Sequence, residues 1–357
     1  MESIPVTCPQ MVEGPEEKGT LRPGMREVAE RAGVAVSSVS RVLSGHPDVS
    51  PRMNRVVMEA VRELNYEPDM LAQGLRRGKT FSVGFAVSDI ANAVLAEIIT
   101  GAEKRLRTAG YSLLLTNSEG NPDLDVEHIA LLERRRVDGL ILSLVEEHHP
   151  DVVAALSNVS HPIVLVDRDI PDGVDARSAV FDHGHGMREA TEHLLGLGHR
   201  RFALVTGGPE RPARERRGAV DKALAGTDGA EHTVYSGEFS VDQGRRAMTA
   251  ILAQDPRPTA IIAGGNMLME GVLMTLKEAG VQVGRDLSVV GSDDVAVAEL
   301  HEPPIAVVRR DIRAAGDAAA ELLLADLEPD EGTAETPNQI VLPTEFVPRA
   351  SCAPPPR

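Results

Sequence analysis

From Phe81 onward the chain alternates between short apolar runs and amphipathic segments of helical length, and no other feature restricts its fold so tightly. The runs are "FSVGFAV", "YSLLL", "GLILS", "PIVLVD", "SAVFD", "FALVT", "TVYS", "TAIIAG", "LSVVG" and "IAVV". Between them lie segments such as Val94 to Thr108, Met187 to Leu195, Val241 to Ala253 and Met267 to Ala279. Strands that are apolar throughout bury both faces, as parallel strands do beneath crossover helices. The region is too long for one sheet, so the pattern predicts two lobes, each a parallel doubly wound sheet. No internal sequence repeat of roughly 20 to 50 residues is present.

The preceding stretch has a different texture. "MREVAERA", a break at Gly33, "VSSVSRVLS", a turn at "GHPDV", and Ser50-Pro51 opening "RMNRVVMEAVREL" predict three short helices, with Ser50 as N-cap and Pro51 at the first helical position. Ala29, Gly33 and Val39 stand where a helix-turn-helix needs a small residue at its crossing, a turn glycine and a return contact; Val28, Val34 and Val42 supply the remaining core. Along the second helix this leaves Val36, Ser37, Ser38, Ser40 and Arg41, some facing outward. Short hydroxyls permit close approach to a major groove, and arginine can pair with both acceptors of guanine. Spacing alone leaves open an ordinary helical hairpin with a solvated face.

The net charge of -17 argues against a nucleic-acid partner until its distribution is considered. Residues 25 to 80 hold nine Lys and Arg against seven Asp and Glu, so the acidity lies elsewhere. A mildly basic head on an acidic body suits a DNA-binding module joined to a sensing module. The stretch "AQGLRRGKT" looks like a phosphate loop, but three residues separate Gly74 from Gly78 where four are needed, and a strand follows where a helix should. Residues 1–24 and 350–357 have no hydrophobic periodicity and are expected to be disordered. Cys8 and Cys352, both in Pro-rich ends, predict neither a disulfide framework nor a thiol metal cluster. No leader and no apolar window near about 18 residues occurs, so the expected location is cytoplasmic with no membrane partner.

The stretches "VAERAGVAVSSVSRVLSG", "VSP", "ELNYEPDMLAQGLRRGKT", "VDGLIL", "LVDRDIP", "LGHRRFALVTGGPE", "ARERR", "SVVGSDD" and "PTEFVPR", in this order, resemble the lactose/galactose-repressor (LacI/GalR) family of bacterial transcription factors from Met25 to Arg349. The resemblance implies an all-α helix-turn-helix head over 25–67 and a hinge helix and linker over 68–80. It also implies a two-lobed periplasmic-binding-protein-like core over 81–349, crossed near 182, 310 and 338. Val36, Ser37 and Arg41 fall where the family reads bases, Ser38 and Ser44 beside them, and Leu75 where it wedges a leucine into the minor groove. Arg76 becomes a backbone anchor. A helix of this length containing Gly74 is too short to stand alone, so it should fold only with a twin helix and DNA. The implied protein is a homodimeric, sequence-specific repressor of a near-palindromic operator, switched by a small polar metabolite and needing no cofactor. Ala35 replaces the family's usual capping serine, and Ser44 an asparagine that often meets the DNA backbone.

Ligands of doubly wound sheets lie beyond the carboxyl ends of strands. Asp89, Asp167 with Arg168, Asn266 and Asp293 stand there; the resemblance adds Asn92 and Arg216 and implies that Asn92, Asp167, Arg216, Asn266 and Asp293 hydrogen-bond a small polar ligand, so that with Asp89 they are the candidate effector ligands, although such groups serve equally as caps. "ANAVLAEI" lacks the phenylalanine pair that packs on a sugar ring in the family, Met267 replaces an aspartate, and aromatics are 3% of the chain, so the effector departs from a typical sugar. His148-His149 and "FDHGHGMRE" match no helix-borne ligand pair, and no metal is expected. No Ser-His-Asp or paired-carboxylate constellation stands out, so an enzyme is not expected. The alternative is a small-molecule-binding protein or enzyme on the same scaffold with no DNA role.

Overall fold

The computed structural model describes residues 23–43, 46, 48–66, 79–329 and 336–356, and the chain divides into two compact units, Met1–Gly78 and Lys79–Arg357. In the first unit α1 (Met25–Ala32), α2 (Val36–Leu43) and α3 (Pro51–Glu63) enclose Val28, Ala29, Val39, Val42, Val57, Ala60 and Tyr66. Gly33 ends α1 in the left-handed region at φ 65°, with the Val34 amide closing back on the Ala29 carbonyl at 3.0 Å. A side chain there would be strained, so the break read in the sequence is a conformational requirement. Ser50 caps α3, its Oγ accepting from the Met53 amide at 3.3 Å, and Pro51 opens the helix.

The second unit holds two six-stranded sheets among the described residues. The first runs β11-β5-β4-β3-β1-β2, built from β1 (Ser82–Val87), β2 (Ser112–Asn117), β3 (Gly139–Ser143), β4 (Ile163–Val166), β5 (Arg177–Phe181) and β11 (Gln339–Leu342). The second runs β12-β10-β9-β8-β6-β7, built from β6 (Arg201–Thr206), β7 (Glu231–Ser236), β8 (Ala260–Ala263), β9 (Ser288–Ser292), β10 (Ala306–Arg310) and β12 (Thr344–Val347). The two orders are the same pattern, so the lobes repeat one topology although their sequences show no repeat. Helices α4 (Ala93–Thr108), α5 (Pro122–Arg134) and α6 (Pro150–Ser157) belong to the first lobe; α7 (His183–Gly196), α8 (Arg211–Ala225), α9 (Val241–Leu252), α10 (Asn266–Glu278) and α11 (Ala296–Leu300) belong to the second. The last helix, α12 (Ile312–Leu327), returns to the first lobe and packs on α4. That contact is close: a Cβ on Gly101 would lie 2.2 Å from the Arg313 carbonyl oxygen, and one on Gly316 would lie 1.9 Å from that of Ile98.

Two expectations need correction. The third crossing falls at Pro343, not near 338, because β11 completes the first sheet beside β5 before the chain leaves it. Both sheets turn their carboxyl ends to the interlobe cleft, so a chain passing straight from β11 into the second lobe enters it backwards. Strand β12 accordingly pairs antiparallel with β10, the exception to the all-parallel expectation. The C-terminal segment is also tied down where disorder was expected. Ser351 is fully buried, its Oγ accepting from the Ala306 amide at 2.8 Å and donating to the Val289 carbonyl at 2.6 Å. The Ala353 amide donates to Ser288 Oγ at 3.0 Å, and burial pushes the neighbouring Cys352 thiol up to about 11. Composition and lack of periodicity concealed this, since isolated polar contacts leave no pattern. No helix among the described residues is long and apolar enough to cross a membrane.

Candidate functional site

On the head, α2 buries Val39 and Val42 and exposes Val36, Ser37 and Arg41, while Ser38 is half-buried at the edge of that face. An amphipathic helix anchored this way offers one row of side chains to a partner. Ser44, Leu75 and Arg76, with the hinge helix expected over 68–76, lie outside the described residues.

In the second unit the carboxyl ends of both sheets enclose a cavity of about 570 Å³. Asp89, Asn92, Asp167, Arg216 and Asn266 all line it, as do Arg168 and Arg310. Asn92 caps α4, its Oδ1 accepting from the Val94 amide at 3.0 Å, and across the cleft Asn266 Nδ2 donates to the same oxygen at 3.0 Å. The backbone amide fixes Asn92 Oδ1 as an acceptor, so Asn266 must turn its nitrogen toward it. That orientation leaves Asn266 Oδ1 buried without a partner among the described residues. Asp89 makes a local turn, accepting from the Ala91 amide at 2.9 Å.

Asp293 is not on the wall. It stands behind it, fully buried, with Arg310 Nε donating to its Oδ1 at 2.6 Å. Arg310 Nη1 donates at 2.8 Å to Oδ2 of Asp167, and its guanidinium lies 4.5 Å over the Phe181 ring. Asp167 and Asp293 both follow a strand with a left-handed backbone, φ 56° and 74°, and Arg310 joins them from the end of β10. His183, the first residue of α7, contacts Asp167 through Nε2 at 2.9 Å while Arg216 Nη2 approaches its Nδ1 at 3.3 Å. A guanidinium can only donate, so Nδ1 accepts and the imidazole proton sits on Nε2, donated to Asp167.

The electrostatics follow from this packing. Burial opposes ionisation of Asp167, but His183, Arg310 and Arg216 outweigh it and hold the carboxyl well below the usual range. Asp293 is lowered for the same reason, burial being overcome by Arg310 and Arg216. Burial, aided by the two arginines and opposed by Asp167, pushes the His183 imidazole down to about 4. It is therefore neutral at physiological pH, a fixed donor and acceptor in the floor of the cleft.

Arg310 and His183 were not among the candidate ligands read from sequence, and Arg168 stood there only as the strand-end neighbour of Asp167. Arg310 closes "IAVVRR", and the strand-end rule that selected Asp167 applies to it equally. His183 was weighed only as a metal ligand or cap. Its partners come from β4 and α8, and no local spacing announces them. The histidine pair at 148–149 does approach acids: ligand atoms of Glu147, His148 and Asp169 lie within 4.8 Å of one another. Those carboxylates already face arginines, with Arg214 bonded to both and the Arg211 amide donating to Glu147 at 2.8 Å.

Comparison with known proteins agrees in both units. Residues 24–69 match the model for bacterial regulatory proteins of the lacI family, and residues 191–352 match that for a periplasmic binding protein-like domain. The ribose operon repressor of Escherichia coli (strain K12) is 33% identical over 306 residues, 84% of this chain and 92% of that protein. The transcriptional repressor PurR of Photobacterium profundum is 30% identical over 84% of this chain and 90% of its own length. The Lac repressor dimer bound to operator and the anti-inducer ONPF superposes with a TM-score of 0.81 at 26% identity, covering 93% of this chain and all of that one. A helix-turn-helix head, a ligand-sized cleft between topologically matched lobes, and relatives of this identity along nearly their whole length make the chain a DNA-binding transcriptional regulator that belongs to the lacI family of bacterial regulatory proteins.

Proposed function

We propose that the chain represses transcription as a homodimer, and that a small polar ligand held by Asp89, Asn92, Asp167, Arg216 and Asn266 shifts its operator affinity, with Asp293 acting through Arg310. The observation that carries this reading is the Asn92 to Asn266 hydrogen bond across the cavity, because a ligand at these two residues engages both lobes at once. Binding there changes the lobe-to-lobe angle, and a dimer transmits that change to its paired hinge segments. Val36, Ser37, Ser38, Arg41 and Ser44 serve the major groove, and Leu75 and Arg76 the minor groove between half-sites. Similar proteins support the ligand reading: one solved relative is a regulator in complex with cellobiose, another carries ribose. A ligand moves operator affinity only by its preference between two forms, typically about 1–3 kcal/mol of coupling. Selection from random DNA tests the reading. A near-palindrome should emerge, and Arg41→Ala should relax one position in each half-site by about 1–3 kcal/mol. An unaltered preferred sequence from the variant would remove Arg41 from the base-reading set, and no preferred sequence from the parent would remove the operator itself.

A further inference from the structure

A count of hydrogen-bonding capacity on the cavity floor narrows the ligand class, resting on the reading of the cleft as an effector site. Asp167 is the acid on that floor between the two arginines, yet its two oxygens already receive the Phe181 amide, His183 Nε2 and Arg310 Nη1. Asp293 is not among the lining residues; Arg310 bonds its Oδ1, and its Oδ2 is buried without a partner among the described residues. Immediately around Asp167 the floor therefore offers few free acceptors, while Asp89, Glu119, Glu146, Glu210 and Glu238 bring carboxylates to the rest of the lining. Its donors are better supplied. Arg168 spends Nε on the Leu144 carbonyl at 2.7 Å and Nη1 on the Asp167 carbonyl at 2.9 Å, while Nη2 has no partner among the described residues. Arg310 spends Nε and Nη1 on the two aspartates and likewise keeps Nη2. Both arginines line the cavity on either side of Asp167, and Arg216 adds a third guanidinium held by the Gly264 carbonyl and His183. An unpartnered buried acceptor on the lining, Asn266 Oδ1, comes from the N-terminus of α10 instead.

Donors at one end and an acceptor at the other ask for a ligand with the reverse order. We propose that the cleft takes a polyhydroxy acid, a sugar acid in chemical class, whose carboxylate meets the Arg168 and Arg310 edges and whose hydroxyls donate to Asn266 Oδ1. A planar carboxylate matches guanidinium edges as a ring hydroxyl does not. Phe239 is the aromatic side chain among the lining residues, so a sugar face finds little to stack on, which points the same way.

The test is calorimetric titration of the full-length protein with matched sets: glucose, gluconate and glucose 6-phosphate; galactose and galacturonate; ribose and ribonate. At least one acid should bind ten-fold or more tightly than its neutral parent, in unaltered protein and without recourse to any variant. Arg310→Gln should abolish that preference, and Arg168→Lys, which keeps the charge but loses the planar edge, should reduce it. Equal or tighter binding of a neutral parent overturns the carboxylate assignment while leaving the effector cleft standing. Phosphate ester binding without acid binding overturns it in favour of a general anion site. If no compound in the panel binds, the class is wrong. If no ligand of any class then alters operator binding, the effector reading fails with it.

Discussion

His183 shows how much one neutral imidazole can organise. Facing it are Asp167 from β4, Arg216 from α8, Arg310 from β10 and the Phe181 ring. In an unfolded chain histidine titrates near about 6.5. In the fold burial lowers it to about 4, so between those values the unfolded chain binds the extra proton. Stability is therefore fully present above about pH 6.5 and is lost as pH falls toward about 4. The Asp167 carboxyl, lowered from an ordinary carboxylate value, adds its loss only at still lower pH. Thermal melts from about pH 7.5 to about pH 5 should fall more steeply for the parent than for His183→Gln; parallel slopes would assign the acid sensitivity elsewhere. At this scale the sequence was partly legible. Strand ends exposed Asp167 and Asn266, because carboxyl ends of parallel strands converge by topology, whereas Arg216, inside α8, came only from the family resemblance. It did not show that Asp293 is neutralised behind the wall, since that depends on an arginine from a strand paired beside its own.

Among the elements, α4 and α12 cross closely, through Gly101 and Gly316. An added methyl has no room against backbone, which cannot swing aside as a side chain can. Gly316→Ala should cost about 1–3 kcal/mol, read from the midpoint of denaturant unfolding. A cost near zero would mean that the helices part without penalty. The apolar runs forecast these elements well, because strands buried on both faces leave a signal in composition alone. Ser50 and Pro51 likewise marked the start of α3. What escaped was the reversed entry of β12 and the pinned Ser351. The first is imposed by the geometry of two facing sheets, and the second rests on single hydrogen bonds with no periodic trace.

For the molecule as a whole, the two lobes of the core meet through more than the cavity floor. Glu147, fully buried on the first lobe, accepts from the Arg211 amide at the start of α8 at 2.8 Å and from Arg214 Nη1 at 3.2 Å. A carboxylate at a helix N-terminus is favoured by the exposed amides and the helix dipole. Here it ties the helix carrying Arg216 to the opposite lobe. Glu147→Gln should favour the open form and weaken ligand affinity on the order of tenfold, about 1.4 kcal/mol, with a larger radius of gyration in solution scattering. An unchanged radius and affinity would reduce Glu147 to a local cap.

Because the chain changes lobes at Asp182, Asp311 and Pro343, neither half of the core is a contiguous stretch of gene. A fragment ending at Asp182 would forfeit α12, whose Ala315, Ala319, Leu322 and Leu323 fill its interior, and would bare the flank of β5 that β11 covers. To obtain a self-standing half one would have to rewire the reading order, splicing 312–342 directly behind Asp182. Simple truncation should yield insoluble protein from either side of the cut.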